Sequence, residues 1–228
     1  SDSIDTTGSE EEVRQQLLKT LNGLSDRKEE VAQHFMNGIP GVKSTLLKDA
    51  EFILESDPAA TTLVEVLTVY PGFFAIFCYR FANILIRQSV KLLPRFITEY
   101  AHSVTGIDIH PGASIGVPFA IDHGTGIVIG ETTSIGNYVK MYQGVTLGAL
   151  SVEKSKASKK RHPTIEDNVI LYSGCTILGG NTVVGRNSII GGNVWLTESV
   201  PPFSVAYHKS QIVVKDQSSY QDPINFII

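Results

Sequence analysis

Two polar residues stand out in a segment that otherwise carries small and aliphatic side chains. Asp108 lies in Ile107-Asp108-Ile109-His110, and His123 lies in Ile121-Asp122-His123-Gly124. In the coil inferred below, both fall at one edge about one coil apart, where they could hydrogen-bond. A carboxylate that holds one imidazole nitrogen fixes the tautomer and raises the basicity of the other, which suits a general base for an alcohol. Capping of the backbone amides in a tight corner is the alternative, and the spacing leaves it open.

A second candidate is the basic segment that precedes Pro163. Five Lys and Arg residues stand between Lys154 and Arg161. A cationic arm of this kind suits the phosphates of a nucleotide-like cofactor, and a guanidinium suits a carboxylate, which it can grip with two parallel hydrogen bonds. A lysine run is also typical of a solvated loop, and His162-Pro163 could equally be a rigid loop exit.

Composition and missing motifs exclude several functions. With 19 basic and 23 acidic residues, the net charge of −4 gives no positive field for nucleic acid. Polar residues interrupt the most apolar stretch, 63–93, so no membrane span is expected. Cys78 and Cys175 are too few for a disulfide framework, which predicts a reducing, cytoplasmic location. Because zinc-ligand spacings, phosphate-binding glycine loops and the Gly-x-Ser-x-Gly motif do not occur, we expect no metal.

The first hundred residues show the helical spacing of apolar side chains. Recurrence at three and four positions, with capping and stop signals, predicts six helices. They are expected from Glu10, over 26–36, over 42–54, from an Asp57 N-cap with Pro58 at the first helical position toward Tyr70, from Pro71 toward Val90, and from Pro94 toward His102. The segment 37–41, Asn-Gly-Ile-Pro-Gly, is the predicted stop between the second and third helices. An all-helical block therefore precedes both candidate segments.

After Gly106 one aliphatic residue recurs every six positions. The series, with short slips of register, is Ile109, Ile115, Ile121, Ile127; Ile129, Ile135, Met141, Leu147; Ile165, Leu171, Ile177; and Val184, Ile190, Leu196. A period of six predicts a parallel β-helix in which three hexapeptides form one triangular coil and the aliphatic residues stack along its axis. Neither a helix, with a period of 3.6, nor a hairpin meander, with a period of two, fits this spacing.

Several segments together resemble the serine acetyltransferase family. They are Asp57-Pro58-Ala59, Asp108-Ile109-His110-Pro111, Ile121-Asp122-His123-Gly124-Thr125-Gly126-Ile127-Val128-Ile129-Gly130-Glu131-Thr132, Gly144-Val145-Thr146-Leu147-Gly148, Arg161-His162-Pro163 and Val200-Pro201-Pro202. The expected fold is α+β: an N-terminal all-helical domain over 1–104, followed by a left-handed parallel β-helix of hexapeptide repeats over 105–206. A loop over 149–163 would protrude from the β-helix, and 207–228 would form a tail.

The resemblance implies acetyl transfer from acetyl-CoA to the hydroxyl of L-serine. His123 matches the general base, and Asp108 matches the residue that orients it. Arg161 and His162 match residues that engage the substrate near its carboxylate, and His162 is also expected to act in catalysis. The expected contacts with the substrate ammonium and its surroundings are Asp57, Pro58 and Asp122.

The resemblance also implies where the co-substrate binds. The backbone amide of Ala149 would stabilise the tetrahedral oxyanion. The expected acetyl-CoA contacts are Gly148, Ala149, Ser173 and Lys160.

Members of this family build the site between neighbouring subunits of a trimer, and two trimers commonly join into a hexamer. The resemblance therefore implies a homotrimer or a dimer of trimers, with L-cysteine as a feedback inhibitor in the serine pocket. The C-terminal Ile228 would dock into O-acetylserine sulfhydrylase.

Two other functions remain open on the sequence. One is a hexapeptide acetyltransferase that acts on another hydroxyl acceptor, such as homoserine or a sugar. Asp57 and Asp122 would distinguish a sugar, because a sugar lacks the ammonium group that they would neutralise. The other is a scaffold without enzymatic activity.

Overall fold

A computed structural model describes residues 7–150 and 159–209 of the chain. In these residues, five α-helices precede fourteen short β-strands. The helices are α1 (Thr7–Leu21), α2 (Lys28–Ser56), α3 (Leu63–Val69), α4 (Pro71–Arg87) and α5 (Leu93–Thr105).

The strands are two to four residues long and follow one another at nearly regular intervals. In chain order they are β1 (Asp108–Ile109), β2 (Ser114–Ile115), β3 (Phe119–Asp122), β4 (Val128–Ile129), β5 (Ser134–Ile135), β6 (Val139–Tyr142), β7 (Thr146–Gly148), β8 (Thr164–Ile165), β9 (Ile170–Leu171), β10 (Thr176–Leu178), β11 (Val183–Val184), β12 (Ile189–Ile190), β13 (Trp195–Leu196) and β14 (Val205–Ala206). Strands three apart in the chain pair in parallel, and β14 pairs with β12, which gives three sheets. Sheet I is β1-β4-β7-β10-β13, sheet II is β2-β5-β8-β11, and sheet III is β3-β6-β9-β12-β14.

The aliphatic residues of the hexapeptide repeat form the axial core. In sheet I, Ile109, Ile129, Leu147, Ile177 and Leu196 lie in register. The corresponding rows are Ile115, Ile135, Ile165 and Val184 in sheet II, and Ile121, Met141, Leu171, Ile190 and Ala206 in sheet III. The predicted parallel β-helix is therefore confirmed. Ile127 is buried as well, but it lies in the turn before β4 and not in a strand.

The three corners of the coil define the places where polar residues can gather. The chain passes from sheet III to sheet I through the turns at 123–127, 143–145, 172–175 and 191–194, and this corner is called the III–I edge. It passes from sheet I to sheet II at 110–113, 130–133, 149–163, 179–182 and 197–199, and this corner is called the I–II edge. His123 lies on the III–I edge, whereas Lys160, Arg161 and His162, the described end of the basic segment, lie on the I–II edge.

The helical block packs on the first coils through α2 and α4. The Asp49 carboxylate on α2 receives Nε and Nη2 of Arg80 on α4, at 2.5 Å and 2.8 Å. Asp49 Oδ1 also accepts the Phe119 N–H at 2.9 Å, and Arg80 Nη2 donates to the Gly116 carbonyl at 3.0 Å. A Cβ at Gly72 would lie 2.4 Å from the backbone oxygen of Ile121, so only glycine lets α4 approach β3 this closely. These contacts join α2 and α4 to the first coil.

The predicted stop at 37–41 is wrong, because α2 continues through Pro40 to Ser56. Gly38 faces α4 closely, and a Cβ there would lie 3.0 Å from Ile84 Cδ1. Packing against α4 thus outweighs the local helix-breaking preference of Gly and Pro.

The predicted helix start at Asp57 is also wrong. Asp57 follows the C-terminus of α2 in extended conformation, and the next helix begins only at Leu63. Its N-cap is Thr62, whose hydroxyl accepts the Glu65 N–H at 3.1 Å, while the Glu65 carboxylate accepts the Thr61 N–H at 3.0 Å. This Thr-x-x-Glu arrangement is a stronger start signal than Asp-Pro.

None of the five described helices alone is long and apolar enough to cross a membrane. Taken together, α3 and α4 pass the same test of length and composition, but they are bent by 70° at the break between them.

Candidate active site

His123 is an exposed polar residue on the III–I edge. It directly follows β3, and its backbone has φ +58°, in the left-handed region that few residues other than glycine adopt. The side chain is 76% exposed, and its Nε2 lies 3.7 Å from Asp122 Oδ1. That distance is too long for a hydrogen bond. The arrangement suits a base that works on a molecule approaching from outside this chain.

Asp57 is held in place by two neutral donors. Its Oδ1 accepts the Ala59 N–H at 2.9 Å, and its Oδ2 accepts the Tyr70 hydroxyl at 2.9 Å. Burial, together with the Asp57 hydrogen bond, raises the pKa of Tyr70 to about 12, so the phenol keeps its proton and remains a donor. Asp57 forms no ion pair with another described residue. Its negative charge is therefore available to a ligand.

Asp122 has a cationic partner, Lys140 on the neighbouring strand β6. Lys140 Nζ lies 3.0 Å from Asp122 Oδ2 and donates to the Ser56 carbonyl at 2.7 Å. Burial lowers the pKa of Lys140, but the hydrogen bonds and charges of Asp122 and Tyr142 outweigh it, and the net shift is upward. The lysine is thus charged at neutral pH.

Asp108 does not hydrogen-bond to His123 in the described part of this single chain. Its Oδ1 lies 3.3 Å from Arg95 Nη1, and the same guanidinium pairs with Glu99. The orienting role predicted for Asp108 stays a prediction.

Glu99, His102 and Asp108 offer ligand atoms within 4.8 Å of one another. A cation at this trio would have to displace Arg95, which contacts both carboxylates. We therefore assign the trio no ion.

Thr132 organises the I–II edge around His162. The Thr132 N–H donates to His162 Nδ1 at 3.1 Å, and the Thr132 hydroxyl accepts the N–H groups of His162 and Arg161 at 3.1 Å and 2.9 Å. A Cβ at Gly130 would lie 2.0 Å from His162 Cδ2, so the imidazole needs glycine beneath it. Burial, and then the nearby Arg161 charge, lower the pKa of His162 to about 4. The imidazole is therefore neutral, with its proton on Nε2.

Two cations flank this histidine. Arg161 pairs through Nη2 with the Glu131 carboxylate, and this contact holds the pKa of Glu131 below its usual range. Lys160 Nζ donates to the carbonyls of Thr132 and Pro163 at 2.8 Å and 3.2 Å, and burial lowers its pKa. The Lys160 ammonium, which is an expected acetyl-CoA contact, thus already donates hydrogen bonds to carbonyl groups of the chain itself.

The other predicted contacts lie on both edges. Pro58 is exposed beside Asp57, Gly148 ends β7, and Ala149 follows it on the I–II edge. Ser173 lies on the III–I edge, where its carbonyl accepts the Asn193 N–H at 2.9 Å. Part of the predicted arm, 151–158, and the predicted docking residue Ile228 lie outside the described residues.

The structure divides the predicted residues into two groups. Asp57, Asp122 and His123 gather beside the III–I edge, while Arg161 and His162 lie on the I–II edge. The first group offers a carboxylate for a cation and a base for a proton, and the second offers donors for an anion.

Sequence reasoning missed three residues that shape these groups. Tyr70 had a weak signal as the residue before Pro71-Gly72. Lys140 had a stronger one, because it places a charge between two buried core residues, Val139 and Met141. Thr132 ends the segment 121–132 that carries the family resemblance, but its role depends on contacts across about thirty positions of chain, which the segment alone does not reveal.

Curated relatives of this chain are named serine acetyltransferase. Over 183 residues the chain is 50% identical to "Serine acetyltransferase, plasmid" of Synechococcus elongatus, a match that covers 78% of this chain and 57% of that protein. Over 180 residues it is 41% identical to a serine acetyltransferase of Bacillus licheniformis, which covers 79% and 82% of the two chains. The chain spans less than two thirds of the length of the two Synechococcus elongatus relatives, 57% and 62%. No protein-family model matches the chain.

Solved structures have the same fold. Entamoeba histolytica serine acetyltransferase 1 in complex with L-cysteine superposes with a TM-score of 0.82 at 36% identity, over 87% of this chain and 75% of that one. Neisseria gonorrhoeae serine acetyltransferase in complex with serine gives 0.70 at 31% identity, over 85% and 79%. A serine acetyltransferase complex with CoA gives 0.69 at 31% identity, over 85% and 81%. With 41% identity to a relative of which it covers 82%, this chain belongs to the serine acetyltransferase family.

Proposed function

We propose that this chain transfers the acetyl group of acetyl-CoA to the hydroxyl of L-serine, giving O-acetyl-L-serine and CoA. The observation that carries the proposal is the grouping of an exposed histidine, His123, with a carboxylate that pairs with no described cation, Asp57, beside one edge of the coil. A base and an ammonium-binding carboxylate are what a small amino alcohol requires. The relatives with serine and with CoA bound support the choice of substrates.

The proposed reaction needs one proton acceptor. The His123 ring takes the proton from the serine hydroxyl as the oxygen attacks the thioester carbonyl carbon. The Asp122 carboxylate, 3.7 Å from Nε2, stabilises the imidazolium that forms. Collapse of the tetrahedral intermediate breaks the C–S bond, and the CoA thiolate takes up the proton. In this scheme the Ala149 N–H meets the oxyanion, and Gly148, Ser173 and Lys160 remain the proposed contacts for CoA.

The acceptor would be held by its two charged ends. Asp57 meets the ammonium, while Arg161 and the neutral Nε2–H of His162 meet the carboxylate. Because these groups lie on different edges of one coil, a complete pocket requires the I–II edge of a second copy beside the III–I edge of the first. We therefore propose the assembly that the family resemblance implies, a homotrimer in which the III–I edge of each copy meets the I–II edge of the next, or a dimer of such trimers.

Two further proposals concern partners and location. L-cysteine would compete for the serine pocket, as supported by the Entamoeba histolytica relative in complex with L-cysteine. Docking to O-acetylserine sulfhydrylase remains a prediction of the sequence. A reducing compartment fits Cys78 and Cys175, both of which are buried free thiols.

The proposal is tested by CoA thiol release from acetyl-CoA with a panel of acceptors. The panel contains L-serine, L-homoserine, ethanolamine and glucose. We expect release with L-serine well above the others, since ethanolamine lacks the carboxylate and glucose lacks both charges. Release with homoserine or glucose but not serine would favour the alternative acceptor. No release with any of them would reject the activity.

A further inference from the structure

Lys140 is a buried charge that the proposed reaction does not use. Its residue is 6% exposed, although it stands on the outer face of β6. Its Nζ lies 3.0 Å from Asp122 Oδ2, 2.7 Å from the Ser56 carbonyl oxygen and 4.8 Å from the centre of the Tyr142 ring. A buried ammonium is tolerated only when it is paired and hydrogen-bonded, and each of these contacts contributes to that.

The partners of Lys140 belong to the two segments that carry the proposed acceptor contacts. Ser56 is the last residue of α2 and immediately precedes Asp57, while Asp122 immediately precedes His123. One ammonium therefore joins the end of the helical block to the strand that bears the base. Its position fixes where the Asp57 carboxylate stands relative to the imidazole.

Lys140 also sets the charge of the pocket. Asp57 and Asp122 together carry two negative charges, and Lys140 supplies one positive charge. Asp122 shares that positive charge directly, whereas among the described residues Asp57 receives neutral donors alone, from Ala59 and Tyr70. One uncompensated carboxylate remains for one substrate ammonium.

We propose that Lys140 is a positioning and specificity-determining residue, which occupies Asp122 so that Asp57 alone receives the ammonium of the acceptor. The inference rests on the proposed function and revises the expectation that both aspartates meet the ammonium. Lys140 touches no reacting atom and acts through Asp122 and Ser56.

The test compares two dead-end inhibitors that differ in one group on the α-carbon. L-alanine carries an ammonium there and L-lactate a hydroxyl. The quantity measured is the inhibition constant of L-lactate against serine divided by that of L-alanine. This ratio increases with the negative charge of the subsite, because only L-alanine carries a positive charge there. In Lys140→Met and Lys140→Gln, where Asp122 is no longer compensated, the ratio should rise about tenfold. Lys140→Arg should keep the ratio of the native chain, since it keeps the charge.

A double variant separates charge from packing. Asp122→Asn leaves Lys140 unopposed, so the ratio should fall about tenfold. Asp122→Asn/Lys140→Met removes both charges, avoids an unpaired buried ion and should return the ratio to within about twofold of the native value. This double variant also keeps the test informative if Lys140→Met alone does not fold.

The outcomes separate the two proposals. If the native chain acetylates serine, but the neutral Lys140 variants weaken both inhibitors equally, Lys140 has only a structural role. A ratio that stays low in the double variant would mean that Asp122 itself binds the ammonium, and the inference would be wrong. A native chain that does not acetylate serine would overturn the proposed function and this inference with it.

Discussion

The Nδ1 atom of His162 accepts a hydrogen bond from the backbone N–H of Thr132 at 3.1 Å, and the Thr132 hydroxyl accepts the His162 N–H in return. The two residues lie on successive coils and lock each other at the I–II edge. Because Nδ1 is already an acceptor, a second proton on the ring would cost this hydrogen bond. The hydrogen bonds between Thr132 and His162 therefore determine the tautomer and the charge of the His162 imidazole, which is proposed to face the substrate.

The first prediction concerns the pH dependence of stability. The pKa of His162 is lowered to about 4 by burial and then by Arg161, whereas the unfolded chain has its usual value of about 6.5. Because the folded pKa is the lower one, this stabilisation is present above about pH 6.5 and is lost as the pH falls toward 4. His162→Asn retains an acceptor for the Thr132 N–H but does not titrate. Its melting temperature should fall less between about pH 7 and 5 than that of the native chain.

The measurement is thermal unfolding at fixed protein concentration in buffers of constant ionic strength. His34→Ala is the matched control, because His34 is exposed on α2 and its pH dependence should match the native one. Equal slopes for His162→Asn and the native chain would show that His162 titrates normally.

The second prediction compares two adjacent threonines. The Thr132 hydroxyl accepts two backbone N–H groups, at 2.9 Å and 3.1 Å. The Thr133 hydroxyl is buried and has no hydrogen-bond partner within residues 7–150 and 159–209. Thr132→Val should lower the free energy of unfolding by about 1–3 kcal/mol, since it leaves buried donors unpaired. Thr133→Val should be neutral or stabilising, because it removes a polar atom that has no partner.

Kinetics extend the same comparison. If Thr132 holds Arg161 and His162 in place for a substrate carboxylate, Thr132→Val should raise the KM for serine more than it lowers kcat. Thr133→Val should change neither. A shared loss of stability in both variants would assign the effect to volume and not to hydrogen bonds.

The third prediction concerns the ion pair that joins the helices to the first coil. Asp49 is fully buried and receives two donors from Arg80. Arg80→Met would leave this buried carboxylate without its cationic partner and should lower the free energy of unfolding by about 3–5 kcal/mol. Asp49→Leu/Arg80→Met removes both charges and should recover most of that loss. A double variant as unstable as Arg80→Met would locate the cost in lost hydrogen bonds to the coil, at Gly116 and Phe119.

The β-helix could be predicted because the six-residue period of its core residues is visible in the sequence alone. Each stacked residue, such as Ile109 or Ile129, is marked by its own six-residue spacing. The helical block was less predictable. The continuation of α2 through Pro40 depends on packing against α4, and the start of the next helix at Leu63 depends on the cap at Thr62. Neither leaves a periodic trace in the sequence.

The same contrast holds for the site. His123, Asp57, Asp122, Arg161 and His162 were proposed because their motifs resemble a family. The structure places His123 on one edge of the coil and Arg161 and His162 on another. Their supporting partners could not be found in this way. Lys140 meets the Ser56 carbonyl across 84 positions, and such long-range contacts exist only after the helices fold back on the coil.

The last prediction tests whether one site is shared by two copies of the chain. His123→Ala removes the proposed base and should lower kcat by about 10²-fold or more. His162→Asn removes the Nε2–H donor on the other edge and should also lower activity strongly.

If each pocket combines His123 of one copy with His162 of the next, mixed trimers of the two variants contain some pockets in which both residues are native. Each mixed trimer contains one such pocket, because the two variants stand in the required order at one of its three interfaces, so about a third of the pockets in the doubly purified trimers are native. Co-expressed variants with two separable tags, purified through both, should therefore regain activity that a mixture of separately purified trimers lacks. Mixed trimers as inactive as the parents would place the whole pocket within one chain.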